Sequence, residues 1–88
     1  MQAVELARQK SRQRCRNLGL VLLDDSVALE KLRLARNNHG RIEIWREYQF
    51  EFTSDGDQRY NGEITLLGKS LINIVMEAYR IPAQAVDE

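Results

Sequence analysis

From Arg41 to Thr53 the chain reads RIEIWREYQFEFT, with Ile42, Ile44, Tyr48, Phe50 and Phe52 on alternate positions. Period-two alternation of this length predicts a long strand over about 41–53. SDGD, from Ser54 to Asp57, supplies turn residues, and a second alternating run with Tyr60, Ile64 and Leu66 predicts a partner strand over about 58–67. Gly62, inside that run, marks a bulge or a place of close approach. Upstream, VALEKLRLAR predicts a strand over about 27–36. Val27 and Leu29 share one parity while Leu32 and Leu34 share the other, so a bulge near Glu30 and Lys31 is needed to put all four on one face. Asn37 to Gly40 form the loop that joins this strand to the long one. LINIVMEAY predicts a fourth strand over about 70–79, apolar on parts of both faces and so partly covered by a helix. Leu20 to Leu23 reads as a short buried extended segment and Asp24 to Ser26 as a turn.

The N-terminal segment has the other period. Val4, Ala7, Ser11, Cys15 and Leu18 step by three and four without a Gly or Pro, which predicts a helix over about 2–18 with one narrow apolar stripe. Gly19 stands where a helix end wants a residue free to take positive φ, and small residues on the stripe suit close packing on a sheet. A helix followed by an antiparallel meander of about four strands implies the α+β class, with the helix covering one sheet face. The whole chain reads as a single domain, 1–88, ending in a frayed acidic tail over 82–88 after Pro82.

Charge changes this picture in one respect. Lys and Arg number 13 and Asp and Glu 13, but Arg8, Lys10, Arg12, Arg14 and Arg16 stand with only Glu5 in the first 18 residues, leaving +4 there and −4 in the remainder. The balanced total disfavours a nucleic-acid binder. One cysteine excludes an internal disulfide and suits a reducing compartment, hence a cytoplasmic reading. No stretch within the sequence is long and apolar enough to span a bilayer, and its first residues do not have the form of a secretory signal.

Cys15, Leu22-Leu23-Asp24, Val27, Arg36, the YQFEF run from Tyr48 to Phe52, Gly56, Arg59-Tyr60, Gly62 and Leu67-Gly68 together resemble an uncharacterised proteobacterial family, domain of unknown function number three thousand three hundred and one. Its most specific part here is YQFEF followed by G-x-x-RY-x-G. The resemblance implies a small protein with one N-terminal membrane-spanning segment, then a basic helix and a strand-rich domain, and implies no activity. This sequence lacks the span. If one stands before the helix in the native protein, the five cations would mark the cytoplasmic side of an inner membrane.

Candidate chemistry is sparse. No catalytic constellation, metal-ligand spacing, phosphate loop or cofactor motif is present, so a non-enzymatic role is expected. The basic helix, Arg8, Lys10, Arg12, Arg14 and Arg16, reads as a solvated face beside a membrane, as a binder of anionic lipid or, least favoured, as a binder of nucleic acid. On the polar face of the long strand, Trp45 stands among Glu43, Glu47 and Glu51. It reads either as covered by a neighbouring side chain or, with Glu43 and Glu47, as an interaction surface for a protein partner or a second copy. Cross-strand pairing with Arg33, Arg59 or Lys69 would neutralise those acids. Glu47 and Glu51 lie about 13 Å apart along a strand, too far to flank one bond. Convergence of Tyr48, Arg59 and Tyr60 would instead make a small-ligand or enzymatic site. His39 reads as a loop residue. Cys15 is either a reactive thiol, activated by Arg12, Arg14 and Arg16, or a buried small hydrophobe.

Overall fold

The computed structural model describes residues 3–79. Helix α1 (Ala3–Asn17) precedes four strands, β1 (Val21–Arg36), β2 (Ile42–Thr53), β3 (Tyr60–Leu67) and β4 (Ser70–Met76). All neighbours pair antiparallel in the order β1-β2-β3-β4, a meander with β1 and β4 at its edges. The class is α+β, with α1 packed chiefly on β1.

Ala7, Ser11 and Cys15, four apart, form the buried line of α1. Their small side chains let the helix approach the sheet closely. The helix ends in a Schellman turn: Gly19 takes φ +75°, its N–H donates to Arg16 O at 3.1 Å, and the Leu20 N–H donates to Cys15 O at 2.7 Å. Leu20 then buries beside Cys15 in the core. Because the turn reverses the chain, Leu18 points outward and is 47% exposed, so the apolar stripe stops at Cys15.

Ser11 is fully buried, and its Oγ has no hydrogen-bond partner. An unmet buried hydroxyl is destabilising, and Ala is the better helix former. Ser11→Ala is therefore expected to stabilise the fold by about 1 kcal/mol, seen as a rise in Tm of about 5 °C. A lower Tm would mean that the hydroxyl has a partner in solution.

On β2, Tyr48, Phe50 and Phe52 face the helix, and Ile64 and Leu66 of β3 join them in the core. The Phe52 ring lies 5.7 Å from Tyr60 and 5.6 Å from Tyr79 between centroids. Gly62 stands directly opposite Phe50, whose ring lies over it, so a Cβ at Gly62 would sit 2.6 Å from Phe50 Cε1. Of the two sequence readings of Gly62, close approach is the one realised.

β1 begins at Val21, so the Leu20–Leu23 segment and the run from Val27 belong to one strand. Between Leu23 and Ala28 it swells outward from β2, and the residues expected as a turn form this irregularity. Ser26 sews it down: its Oγ accepts the Glu51 N–H at 2.7 Å and donates to Leu23 O at 2.6 Å. A second register shift falls between Leu29 and Lys31, where the parity argument requires a bulge. β4 stops at Met76, short of the expected 79; as an edge strand it leaves Leu71, Ile72 and Val75 exposed. The expected tail over 82–88 lies outside the described residues.

Candidate interaction surfaces

The longest hairpin does not end where the rest of the sheet does. Level with Trp45 all four strands are present, through the pairs Arg33↔Trp45, Trp45↔Leu67 and Leu67↔Ser70. Beyond that row only β1 and β2 continue, through Leu34↔Ile44, Ala35↔Glu43 and Arg36↔Ile42. Three pairs add about 10 Å of two-stranded ribbon before the loop. This arm lies outside the cover of α1: a 15-residue helix is about 22 Å long, whereas the molecule extends 49 Å on its longest axis.

Cross-strand partners share a face, so Leu32, Leu34 and Arg36 lie with Ile42, Ile44 and Arg46 on the side that carries Tyr48 and Phe50 further along. The apolar face thus runs on past the helix into water. Leu34 is 66% exposed, Ile42 59% and Leu32 55%. The arm has an ordered tip: Asn37 Oδ1 accepts the N–H groups of His39 at 2.8 Å and Arg41 at 3.0 Å, Asn37 N–H donates to Arg41 O at 2.8 Å, and Arg36 Nη1 donates to Gly40 O at 2.7 Å. Gly40 takes φ +77°, and Asn37 Nδ2 also donates to the Glu43 carboxylate. His39 is an exposed member of this loop.

Trp45, Glu43 and Glu47 occupy the opposite face of the same hairpin. Each has an internal partner. The Arg33 guanidinium lies 4.5 Å above the Trp45 ring, Trp45 Nε1 donates to Glu47 Oε2 at 2.8 Å, and Glu43 holds Asn37. Glu51 pairs with Arg59 at 3.0 Å, as cross-strand neutralisation requires. Tyr48 is buried on the helix side, where burial raises its pKa and the nearby Arg46 charge partly opposes this. Arg59 and Tyr48 are thus on opposite faces and do not converge.

The basic helix divides into two rows. Arg8 and Arg12 turn toward β1, where Arg12 meets the Asp24 carboxylate at 3.1 Å and Arg8 Nε donates to Asp24 O at 3.4 Å. Arg8 also pairs with Glu5, one turn back on the helix, at 3.4 Å. Lys10 and Arg14 line a shallow hollow with Leu71 and Ile74 of β4, and Arg16 is exposed on the last turn. Cys15 is buried, and burial pushes its thiol up to about 11, so the neighbouring arginines do not activate it. A larger open hollow, about 640 Å³, lies beside the β1 irregularity among Asp24, Asp25, Ser26, Glu51 and Arg59. Ser26, Glu51 and Arg59 are all committed there to bonds that hold the sheet together. Among the described residues no cluster of His, Cys, Asp and Glu could hold a metal ion, and no helix is long and apolar enough to cross a membrane.

A family model described as Protein of unknown function (DUF3301) matches residues 1–78. The chain belongs to this family. The match takes in the helix, all four strands and the arm, so the arm belongs to the family's own span. No curated protein and no solved structure matches the chain.

The uncovered apolar end of the sheet is the feature that sequence reasoning missed. A length comparison would have found it, since an expected strand over 41–53 is about 43 Å long and an expected helix over 2–18 only about 26 Å.

Proposed function

We propose that this member of the family is a non-enzymatic interaction domain whose docking element is the β1–β2 arm. The observation that carries the reading is the exposure of Leu32, Leu34 and Ile42 on the sheet face whose other end α1 packs against. Contiguous apolar side chains on the surface are costly unless something covers them. The ordered tip supports the same reading, because a rigid arm loses little freedom on docking. Trp45, Glu43 and Glu47 form the back of the arm and stiffen it through their own contacts rather than meeting a partner first.

The test is site-specific photo-crosslinking in cells, with the photoreactive residue at Leu34 or Ile42 on the arm and at Gln58 in the β2–β3 loop as a reference. Adducts are expected from both arm positions and not from Gln58. Unmodified protein at all three positions would sink the interaction reading.

A further inference from the structure

The covered and uncovered halves of the apolar face differ in charge. The apolar side of the arm carries Arg36 and Arg46 and no acidic residue, with Arg41 at the tip, whereas Glu43 and Glu47 share the reverse of the hairpin with Lys31 and Arg33. Among the described residues, no ion pair involves Arg36, Arg41 or Arg46. Arg36 lies beside Leu34 and Ile42 on the same face. Arg46, half-buried, closes the patch on the body side opposite Leu32.

From this arrangement we infer that the arm docks on an anionic phospholipid bilayer, with Leu32, Leu34 and Ile42 entering the interface and the cations meeting headgroup phosphates. The inference rests on the interaction reading above and names the occupant. Three observations favour lipid over a protein. A two-stranded ribbon three pairs long is convex and narrow, and offers far less than the roughly 800 Å² per partner of a stable protein interface. A bilayer needs no matching groove, because lipid closes around whatever enters it. Interspersed cations and exposed aliphatic side chains suit the two layers of a membrane surface, phosphate above and acyl chain below. A second copy seated apolar face to apolar face is disfavoured by charge, since it would bring Arg36, Arg41 and Arg46 of two arms together.

Sedimentation of the full chain with vesicles tests this. One set is phosphatidylcholine alone; the other is equal parts of phosphatidylcholine and phosphatidylglycerol. The protein is expected to pellet with the anionic vesicles only, and binding should weaken as salt rises. Two independent variants read the two halves of the contact. Among the described residues Arg41 makes no side-chain hydrogen bond or ion pair and Arg36 makes one exposed bond, to Gly40 O, so R36Q/R41Q leaves the sheet intact and is expected to weaken binding about thirtyfold. L34S/I42S, at exposed positions, is expected to weaken it at least about tenfold. Circular dichroism shows that each variant retains the sheet. No binding to anionic vesicles overturns the inference, as does equal binding to both sets. Loss of binding in a helix variant such as R14Q/R16Q, with both arm variants binding like the parent, also overturns it. A protein adduct alone in the cellular crosslinking, together with no vesicle binding, would overturn the lipid assignment and leave the interaction reading standing.

Discussion

Phe52→Ala is expected to cost about 3–5 kcal/mol, because it empties the centre of the aromatic cluster at one end of the sheet's apolar layer. Phe52 is fully buried and its ring contacts Phe50, Tyr60 and Tyr79 at 6.2, 5.7 and 5.6 Å between centroids. Tyr79 lies beyond the end of β4, so this ring also anchors the chain where it leaves the sheet. Domains are stable by roughly 0.05–0.15 kcal/mol per residue, so a loss of this size removes a large part of what a chain of this length has. Urea unfolding followed by fluorescence should show the midpoint falling with an unchanged slope. A loss below about 1.5 kcal/mol would mean that the aromatic cluster does not form as described.

The body of the protein was legible in the chain because its rules are local. Alternation in YQFEF puts Tyr48, Phe50 and Phe52 on one face, and the structure buries all three. The four-residue steps from Ala7 to Cys15 and the positive φ of Gly19 follow from helix geometry in the same way. The parity break in VALEKLRLAR requires a bulge because the sheet imposes its own period, and the register shifts between Leu29 and Lys31. What local rules miss is extent. Ile42 and Ile44 have the same parity as Phe50, yet pattern alone cannot tell a strand position beneath the helix from one beyond its end. The same blindness applies to the continuous strand from Val21, whose passage through Asp24 and Asp25 depends on Ser26 meeting the Glu51 backbone 25 residues away.

The candidate surfaces divide along the same line. Trp45 is conspicuous in sequence because a large indole stands among acids, but cross-strand register supplies Arg33 above it and its own strand supplies Glu47 beside it. Leu32 and Leu34 are unremarkable in sequence because Leu on alternate positions is ordinary strand core. The register satisfies the polar handle of the tryptophan, as the reading of a covered side chain expects, and leaves the leucines in water. A basic run can likewise be half consumed by the fold, as Arg12 is by Asp24 and Arg8 by Glu5, while the scattered Arg36, Arg41 and Arg46 come together around one end of a hairpin.

Gly62→Ala should destabilise the fold by about 3 kcal/mol, although strands ordinarily gain from losing a glycine. The new Cβ would lie 2.6 Å from Phe50 Cε1 and closer still to Cζ, inside contact distance. Phe50 is almost fully buried beside Phe52 and so has no free space into which its ring can turn. The cause is therefore one ring, and that makes it separable. In a Phe50→Leu background the clash is relieved, so Gly62→Ala there should cost at least about 1 kcal/mol less than in the parent, a coupling readable from a double-mutant cycle. If the two costs simply add, the ring does not lie over Gly62, and the close approach of β3 to β2 has another origin.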